Sequence, residues 1–134
     1  MLSNPGRLPA GSTAQAAGEL LQRPEVRAIY VTADERLVGV VTRKTLVREV
    51  VATGRDPGST ELGEIAEDPH YTIGPDVPLE EAFRFLERED AERVPVVDEG
   101  GQLVGVLSRS VLQRRLAEEQ DPADDEPPEL PPAA

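Results

Sequence analysis

Two ten-residue stretches, LVGVVTRKTL at Leu37–Leu46 and LVGVLSRSVL at Leu103–Leu112, repeat one another 66 residues apart. Without a gap, the same spacing brings Pro9 onto Pro75, Ala16 onto Ala82, Leu20 onto Leu86, Arg27 onto Arg93 and Val31 onto Val97. Arg43, Leu46 and Arg48 meet Arg109, Leu112 and Arg114, and twelve identities fall between Pro9 and Val51. A fixed period of this kind means one supersecondary unit used twice.

The unit reads helix, strand, strand, helix. In the second copy Leu79, Ala82, Phe83 and Leu86 stand at i, i+3, i+4 and i+7, the stripe of a half-buried helix, with Pro78 suited to its first turn. Arg93–Val97 is a short β-branched run, and Asp98-Glu99-Gly100-Gly101 is turn chemistry before a return strand at Gln102–Leu107. Ser108 is placed to cap a helix through Leu112 and Leu116. The first copy has a helix across Ala16, Leu20 and Leu21, a strand at Arg27–Thr32, a turn at Asp34-Glu35-Arg36 and a strand at Leu37–Val41. Thr42 then caps a helix carrying Leu46, Val47, Val50 and Val51, and Gly54 is its stop. The expected organisation is a first repeat at 8–53, a linker and lead-in segment at 54–72, and a second repeat at 73–117. In the linker, Glu61–Glu67 reads as a short helix and Tyr71–Ile73 as a short strand. Residues 118–134, acidic and proline-rich, read as a disordered tail.

Composition narrows the function. A repeat of roughly 60 residues buries too little surface to stand comfortably alone, so the halves are expected to pack together around a shared core. There are no cysteines, and His70 is the only histidine, which leaves neither a thiolate site nor a histidine pair for a metal. His70 lies in the turn Asp68-Pro69-His70 and reads as a surface residue. No apolar run approaches the ~20 residues that span a bilayer, and no basic region precedes an apolar stretch, so a cytoplasmic protein without membrane insertion is expected. The net charge is −12, and residues 1–117 alone still carry −5, which argues against a nucleic-acid partner. Only four aromatics are present, too few for a base-stacking platform. No glycine-rich phosphate loop, cysteine nucleophile or partnered histidine base supports an enzyme.

The repeated unit, the phrase Arg93-Val94-Pro95-Val96-Val97-Asp98-Glu99-Gly100-Gly101 and the Gly-x-x-Ser/Thr phrase after it resemble the tandem CBS-domain pair, or Bateman module. The resemblance spans about residues 8–117, and the second copy is the closer match; the first has Ile29 where the second has Pro95. It implies an α+β fold in which two pseudo-symmetric repeats pack as one compact module with two clefts between them. It further implies a regulatory role rather than an enzymatic one, frequent homodimerisation, and adenosine-containing ligands: AMP, ADP, ATP or S-adenosylmethionine. No other cofactor is expected.

What such a ligand needs can be compared with the residues. Phosphates want the free N–H groups of a helix start, and Thr42 and Ser108 stand at two such starts, each followed by an arginine. A cation in a first helical turn is unfavourable by about 0.3–1 kcal/mol unless something negative is near. Arg43, Lys44 and Arg109 therefore read either as invitations to an anion or as partners of the chain's many acids. By the resemblance, an Asp three residues after the Thr/Ser would hold the ribose hydroxyls; here that position is Thr45 in one copy and Val111 in the other. Thr45 could recover one such bond, which makes the site around Thr42 the better candidate for ribose contact. The resemblance also implies Ile73, Arg93 and Pro95 for the second site, and Leu8-Pro9 with Arg27 to Ile29 for the first. A ligand sensor and a degenerate, ligand-independent dimerisation or partner-binding scaffold are the two leading readings.

Overall fold

The computed structural model describes residues 6–124, with side chains through Glu118. The first repeat opens with β1 (Arg7–Pro9) and α1 (Ala14–Leu21), followed by β2 (Ile29–Ala33) and β3 (Arg36–Val41). Strand β1 runs parallel to β2 and β2 antiparallel to β3, giving the order β1-β2-β3. Helix α2 (Arg43–Leu46) continues into a π-helical turn at Val47–Val51, closed by the Ala52 N–H donating to the Val47 carbonyl at 2.8 Å. The short helix α3 (Leu62–Ile65) lies in the connecting segment. The second repeat supplies α4 (Leu79–Arg88), the antiparallel pair β4 (Arg93–Val97) and β5 (Leu103–Ser108), and α5 (Arg109–Asp124). Of the expected Tyr71–Ile73 strand only Ile73 pairs, parallel to Val96, as a single bridge.

The buried stripe of α1 is Ala14, Ala17 and Leu21, whereas Ala16 and Leu20 are only partly covered. The structural counterparts of these residues in α4 are Leu79, Ala82 and Leu86, at an offset of 65 rather than 66. Strand pairing has the same shift: Val31 opposes Gly39, while Val96 opposes Gly105. The extra residue sits in the second hairpin. In the first, Asp34 and Glu35 form a two-residue turn with φ of 52° and 70°, both left-handed as a primed turn requires. In the second, the Asp98 and Gln102 main chains are bonded, and three residues cross between them with Gly101 at φ 85°. The ungapped match therefore holds from the hairpins onward and is displaced by one residue before them. Arg93 and Pro95 correspond in space to Ala28 and Tyr30.

Each repeat builds its own apolar cluster, contrary to the single shared core expected from length. Ala17, Leu21, Ile29, Val31, Val41, Val50, Leu62 and Ile65 belong to the first, and Ala82, Leu86, Ala91, Val94 and Leu112 to the second. Tyr30, Val96 and Leu103 are buried yet belong to neither cluster. Main-chain bonds join the two repeats at their hairpins. The Leu37 N–H donates to the Gly101 carbonyl and the Leu103 N–H to the Glu35 carbonyl, both at 3.0 Å, a reciprocal pair related by the pseudo-twofold. Arg7 adds a side-chain bond to the Leu103 carbonyl at 3.0 Å.

Helix α5 runs to Asp124, beyond the start of the expected disordered tail at residue 118. The run Leu116–Gln120 consists of good helix formers, and extending an existing helix adds one bond per residue ordered. The rest of the expected tail, 125–134, lies outside the described residues. Among the described residues no helix is long and apolar enough to cross a membrane.

Candidate functional site

The helix start at Thr42 is a closed capping box. Thr42 Oγ1 accepts from the Thr45 N–H at 3.2 Å, and Thr45 Oγ1 accepts from the Thr42 N–H at 3.0 Å. Thr45 is 1% exposed, and its hydroxyl donates to Glu67 Oε2 at 2.9 Å. The same carboxylate pairs with Arg48. Glu67 reaches this position because its main chain pairs with Val40, at 2.8 and 2.9 Å, on the free edge of β3. Only a glycine at position 39 allows that approach, since a Cβ there would lie 2.6 Å from the Ala66 Cβ. The hydroxyl expected to recover a ribose bond is thus engaged by an acid of this chain. Sequence spacing gave no sign of that contact, which joins residues 22 positions apart.

Arg43 turns toward α1. Its Nη2 donates to the carbonyls of Leu21 at 2.5 Å and Arg23 at 2.9 Å, where the helix dipole favours a cation. Lys44 is exposed beside it. Arg27 is exposed, and Ile29 is buried in the first cluster. Arg109 of the second repeat lies 3.8 Å from Asp90 and 3.9 Å from Glu92, so its charge is answered by two carboxylates.

The helix start of the second repeat is arranged differently. Ser108 Oγ accepts from the Val111 N–H at 3.2 Å and caps α5. Arg93 is the strand partner of Ser108, which sets its half-buried side chain beside the start of that helix. Among the described residues the Arg93 guanidinium has no hydrogen-bond or ion-pair partner. Pro95 is buried on the same face of β4, and the Ile73 N–H donates to the Pro95 carbonyl at 3.1 Å. Ile73, Arg93, Pro95 and Ser108 are therefore brought together, whereas Arg27, Ile29, Thr42, Arg43 and Thr45 are distributed between the core and contacts within the first repeat.

Tyr30, not expected from the sequence as a site residue, lies 6% exposed on the face of β2 opposite Ile29 and Val31. Burial pushes its phenol above the usual 10.0, the Arg93 charge draws it down, and Tyr71 raises it slightly. Tyr71, whose ring meets Phe85 edge-on at 5.1 Å, is also pushed up, by burial and by Glu89. Of these groups it is the Tyr30 phenol that feels both Arg93 and Tyr71. Aligning the buried stripes rather than the identities would have placed Tyr30 opposite Pro95. Among the described residues no group of three His, Cys, Asp or Glu side chains is arranged to hold a metal.

Comparison with known proteins agrees with this geometry. The CBS domain model matches residues 1–52 and 62–118. Hypoxic response protein 1 of Mycobacterium tuberculosis is 30% identical over 107 residues, covering 79% of this chain and 74% of that protein. A CBS domain protein of Pyrobaculum aerophilum (PAE2072), solved with AMP, superposes with a TM-score of 0.64 at 28% identity, covering 88% and 95% of the two chains. CBSX2, also solved with AMP, gives a TM-score of 0.67 at 25% identity, covering 84% and 87%. The fold is the α+β fold of a CBS-domain pair. The chain belongs to the CBS-domain family, with one domain in each repeat.

Proposed function

We propose that the chain is a regulatory sensing module, not an enzyme, that takes an adenosine-containing nucleotide in the second repeat's cleft. The observation that carries this reading is the unpaired, half-buried Arg93 guanidinium beside the Ser108-capped start of α5, in a chain whose net charge is −12. Acids abound in this chain, yet among the described residues none pairs with that cation, while Arg48, Arg55, Arg84 and Arg109 all have carboxylate partners. The AMP-bound relatives make AMP the first ligand to test, ahead of ADP, ATP and S-adenosylmethionine. The Thr42 cleft, with Thr45 committed to Glu67, is not the preferred site.

A second reading, a ligand-independent scaffold or homodimer, is favoured by the engagement of Thr45 with Glu67 and by Val47 and Val51, exposed at 58% and 72% one turn apart. A thermal-shift panel with the four ligands separates the two. A ligand at ~100 times its dissociation constant adds about 2.7 kcal/mol, a rise of several degrees in Tm. A selective rise supports sensing. A flat panel, together with a dimer whose sedimentation ignores nucleotide, supports the scaffold.

A further inference from the structure

We infer that the first repeat carries a further binding site, a cleft beside its hairpin at Asp34 and Glu35, whose ligand has the charge pattern of a free dibasic amino acid: one carboxylate and two cationic groups. The inference is independent of the nucleotide reading, because this cleft lies at the far end of the strand pair from the Thr42 helix start and is lined by the first repeat alone.

Four observations lead there. First, the cleft is a space of about 590 Å³, within the range of small-molecule sites, with Arg7, Ala10, Gly11, Thr32, Asp34 and Glu35 in its wall. It opens where Ala33 pairs with Arg36, whereas the Thr42 helix start follows the Ile29–Val41 pair, ~13 Å away along the strand. Second, Thr32 is 7% exposed. Its carbonyl accepts from the Ala10 N–H at 2.7 Å, but its hydroxyl has no hydrogen-bond partner among the described residues. A buried hydroxyl left unpaired is costly, so one kept in the wall of a cleft points to a bound group that completes it. Third, Arg7 Nη1 donates to the Leu103 carbonyl at 3.0 Å, while Glu35 stands 3.8 Å from Nη2, beyond hydrogen-bond distance. The guanidinium therefore keeps donors for a ligand carboxylate, whose geometry it matches. Fourth, the Asp34 carboxylate has no hydrogen-bond or ion-pair partner among the described residues, and with Glu35 it leaves the cleft net negative. A ligand ammonium answers one acid, and a second cation on the ligand's side chain answers the other. A Cβ added at Gly11 would meet nothing within 4 Å, so there is open room for that side chain.

The test is calorimetric titration of the full chain with L-lysine, cadaverine (lysine without its carboxylate), L-leucine and L-glutamate. Wild type should bind lysine at least about tenfold more tightly than each of the others, since each lacks or reverses one charge. Asp34 has φ 52°, a conformation that Asn tolerates, so Asp34→Asn keeps the turn and removes the charge. It should weaken lysine about ten- to a hundredfold, and Thr32→Val about three- to tenfold, in line with losing a charge-assisted and a neutral bond. Gly11→Leu fills the open room and should abolish lysine binding while leaving the circular dichroism spectrum unchanged. Cadaverine or glutamate bound as tightly as lysine overturns the assigned ligand chemistry. A lysine affinity unchanged in both Asp34→Asn and Gly11→Leu overturns the site. A fall in the Tm of Thr32→Val with lysine affinity unchanged gives that hydroxyl a structural role and overturns its part in the site. A wild type that binds none of the four at millimolar concentration overturns the inference as a whole, and the nucleotide panel is decided separately.

Discussion

Thr45 Oγ1 stands 2.9 Å from Glu67 Oε2, so one hydroxyl fastens the start of α2 to the segment that leads into the second repeat. Because Thr45 is almost fully buried, the bond is shielded on its hydroxyl side, and the Arg48 guanidinium balances the acid.

Replacing Thr45 by Val keeps the shape and removes the bond. The expected cost is about 1–3 kcal/mol, since the Thr42 N–H and the carboxylate both lose a partner. Thermal denaturation should show a Tm lower by roughly 4–11 °C. A double-mutant cycle with Glu67→Gln should return a coupling of at least about 0.5 kcal/mol.

Gly39→Ala tests the close approach of the connecting segment. Its new Cβ would meet the Ala66 Cβ at 2.6 Å and the Glu67 carbonyl at 3.1 Å, and backbone cannot step aside cheaply. A loss of about 1–3 kcal/mol in urea titration is expected. Gly11→Ala, with nothing within 4 Å, should stay within about 0.5 kcal/mol of wild type.

Arg43→Met separates a helix-capping cation from a nucleotide ligand. Its two bonds to the Leu21 and Arg23 carbonyls predict a stability loss of about 1 kcal/mol. The AMP affinity of this variant should match wild type; a tenfold loss would place Arg43 on the phosphate instead.

Stability should also fall at high pH. Burial raises the Tyr30 pKa above its unfolded value of 10.0, so the folded state holds the phenolic proton longer. That contribution is complete below pH 10.0 and is lost as pH rises through the folded value, because the unfolded chain ionises first. Chemical denaturation from pH 8 upward should show a decline above about pH 10 that is shallower in Tyr30→Phe.

The repeat, its hairpins and its helix caps were legible because they depend on local chemistry: turn residues, alternation and a Thr or Ser before an apolar stripe. Identity across the two copies was a poorer guide to register. Pairing Ala16 with Ala82 and Leu20 with Leu86 maximised matches, but the loop at Asp98–Gln102 is one residue longer than the turn at Asp34-Glu35, and burial follows Ala17 and Leu21. That single residue hid Tyr30 by setting Ile29 in its place. The partners of Arg43 and Thr45 were illegible for another reason. Their contacts lie 20 to 22 residues away, and no local pattern announces them.

The reciprocal bonds between Leu37 and Gly101 and between Leu103 and Glu35 use main-chain atoms alone. These two bonds themselves are indifferent to side-chain drift. Once a duplicated unit can dock on itself in this way, each copy is free to change its polar positions independently. One copy can engage its Thr45 with Glu67 while the other leaves Arg93 without a partner among the described residues, and the axis that relates them is preserved. Asymmetry of ligand capacity within symmetry of scaffold then needs no new architecture, only substitutions on either side of two main-chain bonds that do not depend on them.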